Sequence, residues 1–73
     1  MLIMPVRLKE LRRSRKLIQK DVALAIGIHV RTYRRHESGK TEPPATIIVK
    51  LADFFDVSTD YLLGRTDNPN IYK

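Results

Sequence analysis

Cysteine is absent from the 73 residues. Its absence excludes a disulfide framework, a thiolate metal site and a cysteine nucleophile. Histidine is scarce as well: His29 and His36 stand seven apart with no carboxylate at ligand spacing, so neither a structural zinc nor any other metal or cofactor is expected. Long apolar runs are missing. The longest, residues 1–6, is far too short to span a bilayer and contains Pro5. It also lacks the basic residues that open a signal peptide, so a cytoplasmic protein without a membrane partner is expected. There is no nucleophile–base pair, no carboxylate pair and no glycine loop to cradle a phosphate, which argues against an enzyme. With three tyrosines and two phenylalanines, aromatics are too few for stacking the bases of single-stranded RNA.

Basic residues are plentiful and unevenly placed. Residues 1–40 carry 11 lysines and arginines against 3 acids, whereas residues 41–73 carry 3 against 5. One basic half beside a mildly acidic half predicts a polyanion-facing surface on one side. Charge alone fits nucleic acid, an anionic membrane surface or an acidic protein equally. At 42% apolar and 30% charged, the composition is that of a globular protein, and the length allows one small domain.

The apolar spacing predicts five short helices and no strand. Pro5 is acceptable in a first turn, and Leu8 and Leu11 recur at helical spacing, giving a helix over residues 5–15. Gln19-Lys20-Asp21 opens a second helix with Val22, Ala23 and Ile26 on one face, stopped by Gly27. A third covers residues 29–37 and closes at Ser38-Gly39. After Glu42-Pro43-Pro44 a fourth covers residues 45–55, with Ile47, Ile48, Leu51, Ala52, Phe54 and Phe55 as its core residues. Ser58 caps a last short helix that Gly64 ends. The expected fold is an all-α, compact five-helix bundle, with the domain over residues 1–64 and a short C-terminal tail over 65–73 that leaves no room for a ligand-sensing domain.

Two short helices around a glycine turn form a helix-turn-helix unit. On a helical wheel Val30, Arg31, Arg34 and Arg35 share one outward arc of the third helix, and Thr32, Tyr33 and His36 fall opposite. Eight residues make a rod of ~12 Å, which matches a major groove ~12 Å wide. The planar arginine fork can reach two acceptors on one guanine edge. On the helix alone, a merely solvated basic face fits as well.

Residue order adds a resemblance. Residues 7–64 resemble the Cro/cI-type, or Xre-type, helix-turn-helix family of phage repressors and bacterial regulators. The matching positions are Leu8-Lys9-Glu10-Leu11-Arg12, Gln19, Ala23, Gly27-Ile28, Glu37-Ser38-Gly39-Lys40, Leu51-Ala52 and the stretch from Asp56 to Gly64. The resemblance implies a lambda-repressor-like fold with the helix-turn-helix at helices two and three. It also implies that Val30, Arg31 and Arg35 reach base edges, with Arg34 beside them. Gln19, His29, Ser38 and Lys40 would touch phosphates, and Arg12 and Glu37 would form a structural ion pair.

Three residues depart from that pattern. His29 stands where Ser or Thr is usual and predicts a weaker N-cap. His36 takes an apolar position and is expected as a partly buried core histidine. Val30 replaces a polar reader and predicts contact with a thymine methyl or no readout. The implied function is sequence-specific regulation on double-stranded DNA: a homodimeric repressor that occludes a promoter at a near-palindromic operator, pairing through Tyr61 and Leu62. Control would come from a protein antagonist, proteolysis or competition. The alternative, a protein-interaction module such as an antitoxin or anti-repressor partner, would be favoured by an acidic third helix, and this one is basic.

Overall fold

Why the chain breaks into five helices is visible at their ends. The computed structural model describes residues 3–71. Met1, Leu2, Tyr72 and Lys73 lie outside the described residues, and with them the outer limits of the expected domain and tail. In chain order the helices are α1 (Ile3–Ser14), α2 (Gln19–Ile26), α3 (Val30–Ser38), α4 (Ala45–Phe55) and α5 (Thr59–Leu63). No strand occurs among the described residues, so the all-α bundle is the observed architecture. α1 starts two residues earlier than the spacing predicts. Pro5 still falls in its first turn, where a missing N–H goes unused.

Each helix is closed by a residue in the left-handed conformation: Lys16, Gly27, Gly39, Asp56 and Gly64. The following amide then reaches back five residues, as Leu17 N–H does to Arg12 O at 3.1 Å and Lys40 N–H to Arg35 O at 3.0 Å. Such reversals satisfy carbonyls that the helix leaves open and turn the chain sharply.

The core gathers Leu8, Val22, Ala23, Ile26, Tyr33, Leu51, Ala52, Phe55, Val57 and Leu62. α2 packs on α3 and α4, while α1 packs on α3 and α5. Full burial of a residue such as Leu8 or Phe55 contributes ~1.5–3 kcal/mol. Two expectations need correction. Phe54 is exposed, because Leu51, Ala52 and Phe55 occupy the inward stripe of α4 and Phe54 lies beyond its edge. Leu62 is fully buried, so it is no pairing surface; the Tyr61 ring is half-buried with the Arg7 guanidinium 4.1 Å from it, and Leu63 is the exposed apolar residue of α5.

Arg7 also fastens the segment after α5. Its guanidinium donates to Tyr61 O, to Thr66 O at 2.6 Å and to Asp67 Oδ1 at 2.8 Å. Ser58 N–H donates to Pro69 O at 2.9 Å, so residues 66–69 lie along the body of the molecule.

Candidate nucleic-acid interface

Both helices of the helix-turn-helix unit start with a local hydrogen bond. Asp21 Oδ2 accepts the Ile18 N–H at 3.0 Å ahead of α2. His29 Nδ1 accepts the Arg31 N–H at 3.0 Å ahead of α3. The histidine therefore does serve as an N-cap, through a ring nitrogen in place of a hydroxyl. Between them Gly27, at φ 80°, turns the chain and Ile28 packs against the core.

α3 is rotated slightly from the wheel expectation. Its inward stripe is Tyr33, His36 and Glu37, because Glu37 is drawn in by Arg12. Val30 borders that stripe and packs partly against the core, while Thr32 is exposed, not inward as expected. His36 is buried, with its Nδ1 3.1 Å from Thr41 Oγ1.

Six of the sequence-predicted residues come together. Gln19, Arg31, Arg34, Arg35, Ser38 and Lys40 line one shallow, open depression along α3. His29 and Val30 do not border it. His29 is exposed at the turn, and Val30 is half-buried at the start of α3.

The arginines divide into two sets. Arg7, Arg12 and Arg15 are bonded within the protein, Arg15 donating to Phe55 O at 2.6 Å with its guanidinium 5.2 Å from the Phe55 ring. Among the described residues, the Arg31, Arg34 and Arg35 guanidinium groups and the Lys40 ammonium make no hydrogen bond, ion pair or ring contact. Their charge is turned to solvent with nothing to neutralise it. Ser38 Oγ donates to Arg35 O at 3.1 Å.

Beneath the depression lies the expected ion pair. Arg12 Nε donates to Glu37 Oε2 at 2.8 Å and its Nη2 to Oε1 at 2.9 Å, while Nη1 donates to Leu17 O at 2.9 Å. Gln19 Nε2 donates to Glu37 Oε1 at 3.1 Å, a link that the sequence reading missed. The amide nitrogen carries a second hydrogen besides the one given to Glu37. Burial is the largest single influence and pushes the Glu37 carboxyl up, but the Arg12 hydrogen bonds, the nearby Tyr33 hydroxyl, the Gln19 amide and the Arg12 charge together outweigh it and hold the carboxyl below the usual carboxylate range. Arg12 is raised in turn, first by its hydrogen bond to Glu37. Burial, with the neighbouring Glu37 carboxylate, pushes the Tyr33 phenol well above its ordinary value. The Tyr33 hydroxyl is a second feature the sequence hid: it is buried near the Glu37 carboxylate with no hydrogen-bond partner within bonding geometry among the described residues.

No helix among the described residues is long and apolar enough to cross a membrane. A family model described as Helix-turn-helix matches residues 8–62. The uncharacterized HTH-type transcriptional regulator YobD of Bacillus subtilis (strain 168) is 42% identical over 64 residues, covering 88% of this chain and 57% of the relative. The HTH-type transcriptional regulator AnsR of the same organism is 41% identical over 59 residues, covering 81% and 51%. The cryptic phage CTXphi transcriptional repressor RstR of Vibrio cholerae serotype O1 (strain ATCC 39315 / El Tor Inaba N16961) is 37% identical over 59 residues, covering 81% and 53%. The chain thus spans about half the length of the curated relatives it matches.

Proposed function

Because the chain belongs to the helix-turn-helix family, we propose that it is a sequence-specific regulator of transcription that binds double-stranded DNA through α3. The relatives bear the names of transcriptional regulators, which are binding proteins and not enzymes. The observation that carries the reading is the set of uncompensated cations, Arg31, Arg34, Arg35 and Lys40, gathered around one open depression. Such a surface has the charge and width to meet a duplex groove.

In this reading Arg31 and Arg35, one turn apart, fork onto base edges. Arg34 serves a base or the nearest phosphate, and the exposed edge of Val30 meets a thymine methyl. Gln19, His29, Ser38 and Lys40 hold phosphates, the first through the N-terminus of α2, where free N–H groups favour an anion. The protein acts in the cytoplasm as a homodimeric repressor, covering a near-palindromic operator and so excluding polymerase. The name of one relative, a phage transcriptional repressor, supports that sign of regulation.

The test is a titration against duplex DNA from the intergenic region beside the gene and against a scrambled duplex of equal length. Arg31→Ala and Arg35→Ala should each lose ~1–3 kcal/mol on the specific duplex and relax preference at one base position. If both keep the parent's ratio of specific to non-specific affinity, α3 is not the reader.

A further inference from the structure

Outside the depression, the side chains of five more cations, Lys9, Arg13, Lys16, Lys20 and Lys50, make no hydrogen bond or ion pair among the described residues, and two of them lie together beside it. Lys9 and Arg13 are exposed, stand four residues apart on α1, and so share a face with Cβ atoms ~5–6 Å apart. Among the described residues neither side chain makes a hydrogen bond or ion pair, in contrast to Arg7, Arg12 and Arg15 on the same stretch of chain. The dipole at the end of α1 would account for Arg13. It does not account for Lys9 in mid-helix. The two line an open groove between α1 and the end of α3, together with Val6, Glu10, Glu37 and Ser38. Ser38 also borders the depression under Arg31 and Lys40. The groove and the depression are therefore neighbours, joined at the C-terminal end of α3. Of the two carboxylates in the groove, Glu37 is already neutralised by Arg12, and Glu10 forms no ion pair. The surface that remains is cationic.

We propose that the phosphate backbone of bound DNA continues past α3 onto α1, where Lys9 and Arg13 hold phosphates of the operator flank on the Ser38 side. The inference rests on the DNA-binding reading above and adds a length requirement to it: the bound site extends beyond the bases that α3 can reach. Contacts of this kind are indifferent to sequence, so they raise affinity without sharpening choice.

The test uses the full chain and two duplexes, one trimmed to the bases under α3 and one extended on both sides, each followed across a salt series. The double variant Lys9→Gln/Arg13→Gln keeps helix-forming side chains and removes both charges. On the long duplex it should bind about tenfold more weakly at low salt, and its plot of log affinity against log salt should be flatter by about 1.8, or ~0.9 for each lost phosphate contact. On the short duplex it should match the parent. The charge-keeping double variant Lys9→Arg/Arg13→Lys should retain the parent's slope, and a thermal melt shows whether each variant is folded. Parent-like affinity and slope on the long duplex would overturn the proposal, as would an equal loss on both lengths. A variant that keeps both duplexes but loses binding to a polyglutamate peptide would assign the face to an acidic protein, and overturn it too. Lys40→Ala separates the two readings: it should weaken both lengths alike, so DNA binding can stand while the flank contact fails. A parent that binds neither duplex fails both.

Discussion

Arg12 offers three N–H groups inward, two to Glu37 and one to Leu17 O, and this is what fastens α1 to the end of α3. Glu37 is almost wholly buried, so removing Arg12 would strand its charge. Arg12→Ala and Glu37→Ala should each cost ~3–5 kcal/mol, and the double variant should lose clearly less than the sum. Strict additivity in denaturant midpoints would mean that the two side chains do not interact. The pair also sets an acid limit. The Glu37 carboxyl lies below its ordinary value when folded. Its contribution is therefore complete above the unfolded value of ~4.3 and is lost as pH falls through the folded value. The stability gap between the parent and Glu37→Ala should be full at pH 7 and narrow steadily in strong acid; a gap that stays constant down to pH ~2 would place the effect elsewhere. At the solvent side of the same residues, Lys40→Ala should weaken binding to all duplexes alike and flatten the salt plot by ~0.9. Gln19→Ala carries no charge change, so affinity should fall with the slope kept. A Gln19→Ala slope that changes as much as that of Lys40→Ala would show that amide and ammonium do not play these separate parts.

The helices themselves were legible wherever a glycine or an apolar stripe marked them. Gly27, Gly39 and Gly64 stop three of them at the predicted places, and α4 has the predicted bounds. Lys16 and Asp56 close the other two in the same left-handed conformation, at φ 58° and 57°, but as ordinary residues they leave no mark in the sequence. Periodicity also could not tell that Glu37 is drawn inward by Arg12. With Glu37 on the buried stripe beside Tyr33 and His36, Val30 lies at the core edge and Thr32 in solvent. The basic arc was therefore found, and its edges were misplaced by one residue on each side. The fates of Arg7 and Arg15 were hidden for a related reason: their acceptors lie 40 or more positions away in the chain. The closing residues support a prediction of opposite signs. Lys16→Gly and Asp56→Gly should each stabilise by up to ~1 kcal/mol, since a non-glycine residue is disfavoured there. Gly27→Ala should destabilise by ~1 kcal/mol, because a Cβ there meets no atom within 4 Å and conformation alone opposes it. Gly64→Ala should cost more, because its Cβ would also fall 2.9 Å from Ile3 Cβ. Thermal melts of the four variants check the order, and equal losses for Gly27→Ala and Gly64→Ala would mean that Ile3 yields freely.

At the scale of the whole molecule, the decisive comparison is between its size and the repeat of DNA. The longest dimension is 32 Å, and one turn of the duplex is ~34 Å. The two lengths are close, and each copy carries one α3, so in the proposed complex one copy lays one recognition helix in one stretch of major groove. Reading two successive grooves takes two copies, and a two-fold arrangement requires an operator that repeats itself in inverted order. Leu62 is core and cannot take part in pairing, while Arg7 stacks on the half-buried Tyr61 ring. Leu63 is the exposed apolar residue left on α5. The expected dimer is accordingly weak in free solution and strengthened by DNA, which brings the two copies side by side. Footprinting over a concentration series should show two half-sites centred about one turn apart, filled together, with inverted sequence. Leu63→Lys should leave the fold and the affinity for an isolated half-site intact while the half-sites of the full operator fill independently. Protection of one half-site with no two-fold symmetry at any concentration would leave the protein a monomeric binder. Unchanged joint filling in Leu63→Lys would keep the dimer but move its contact to another surface.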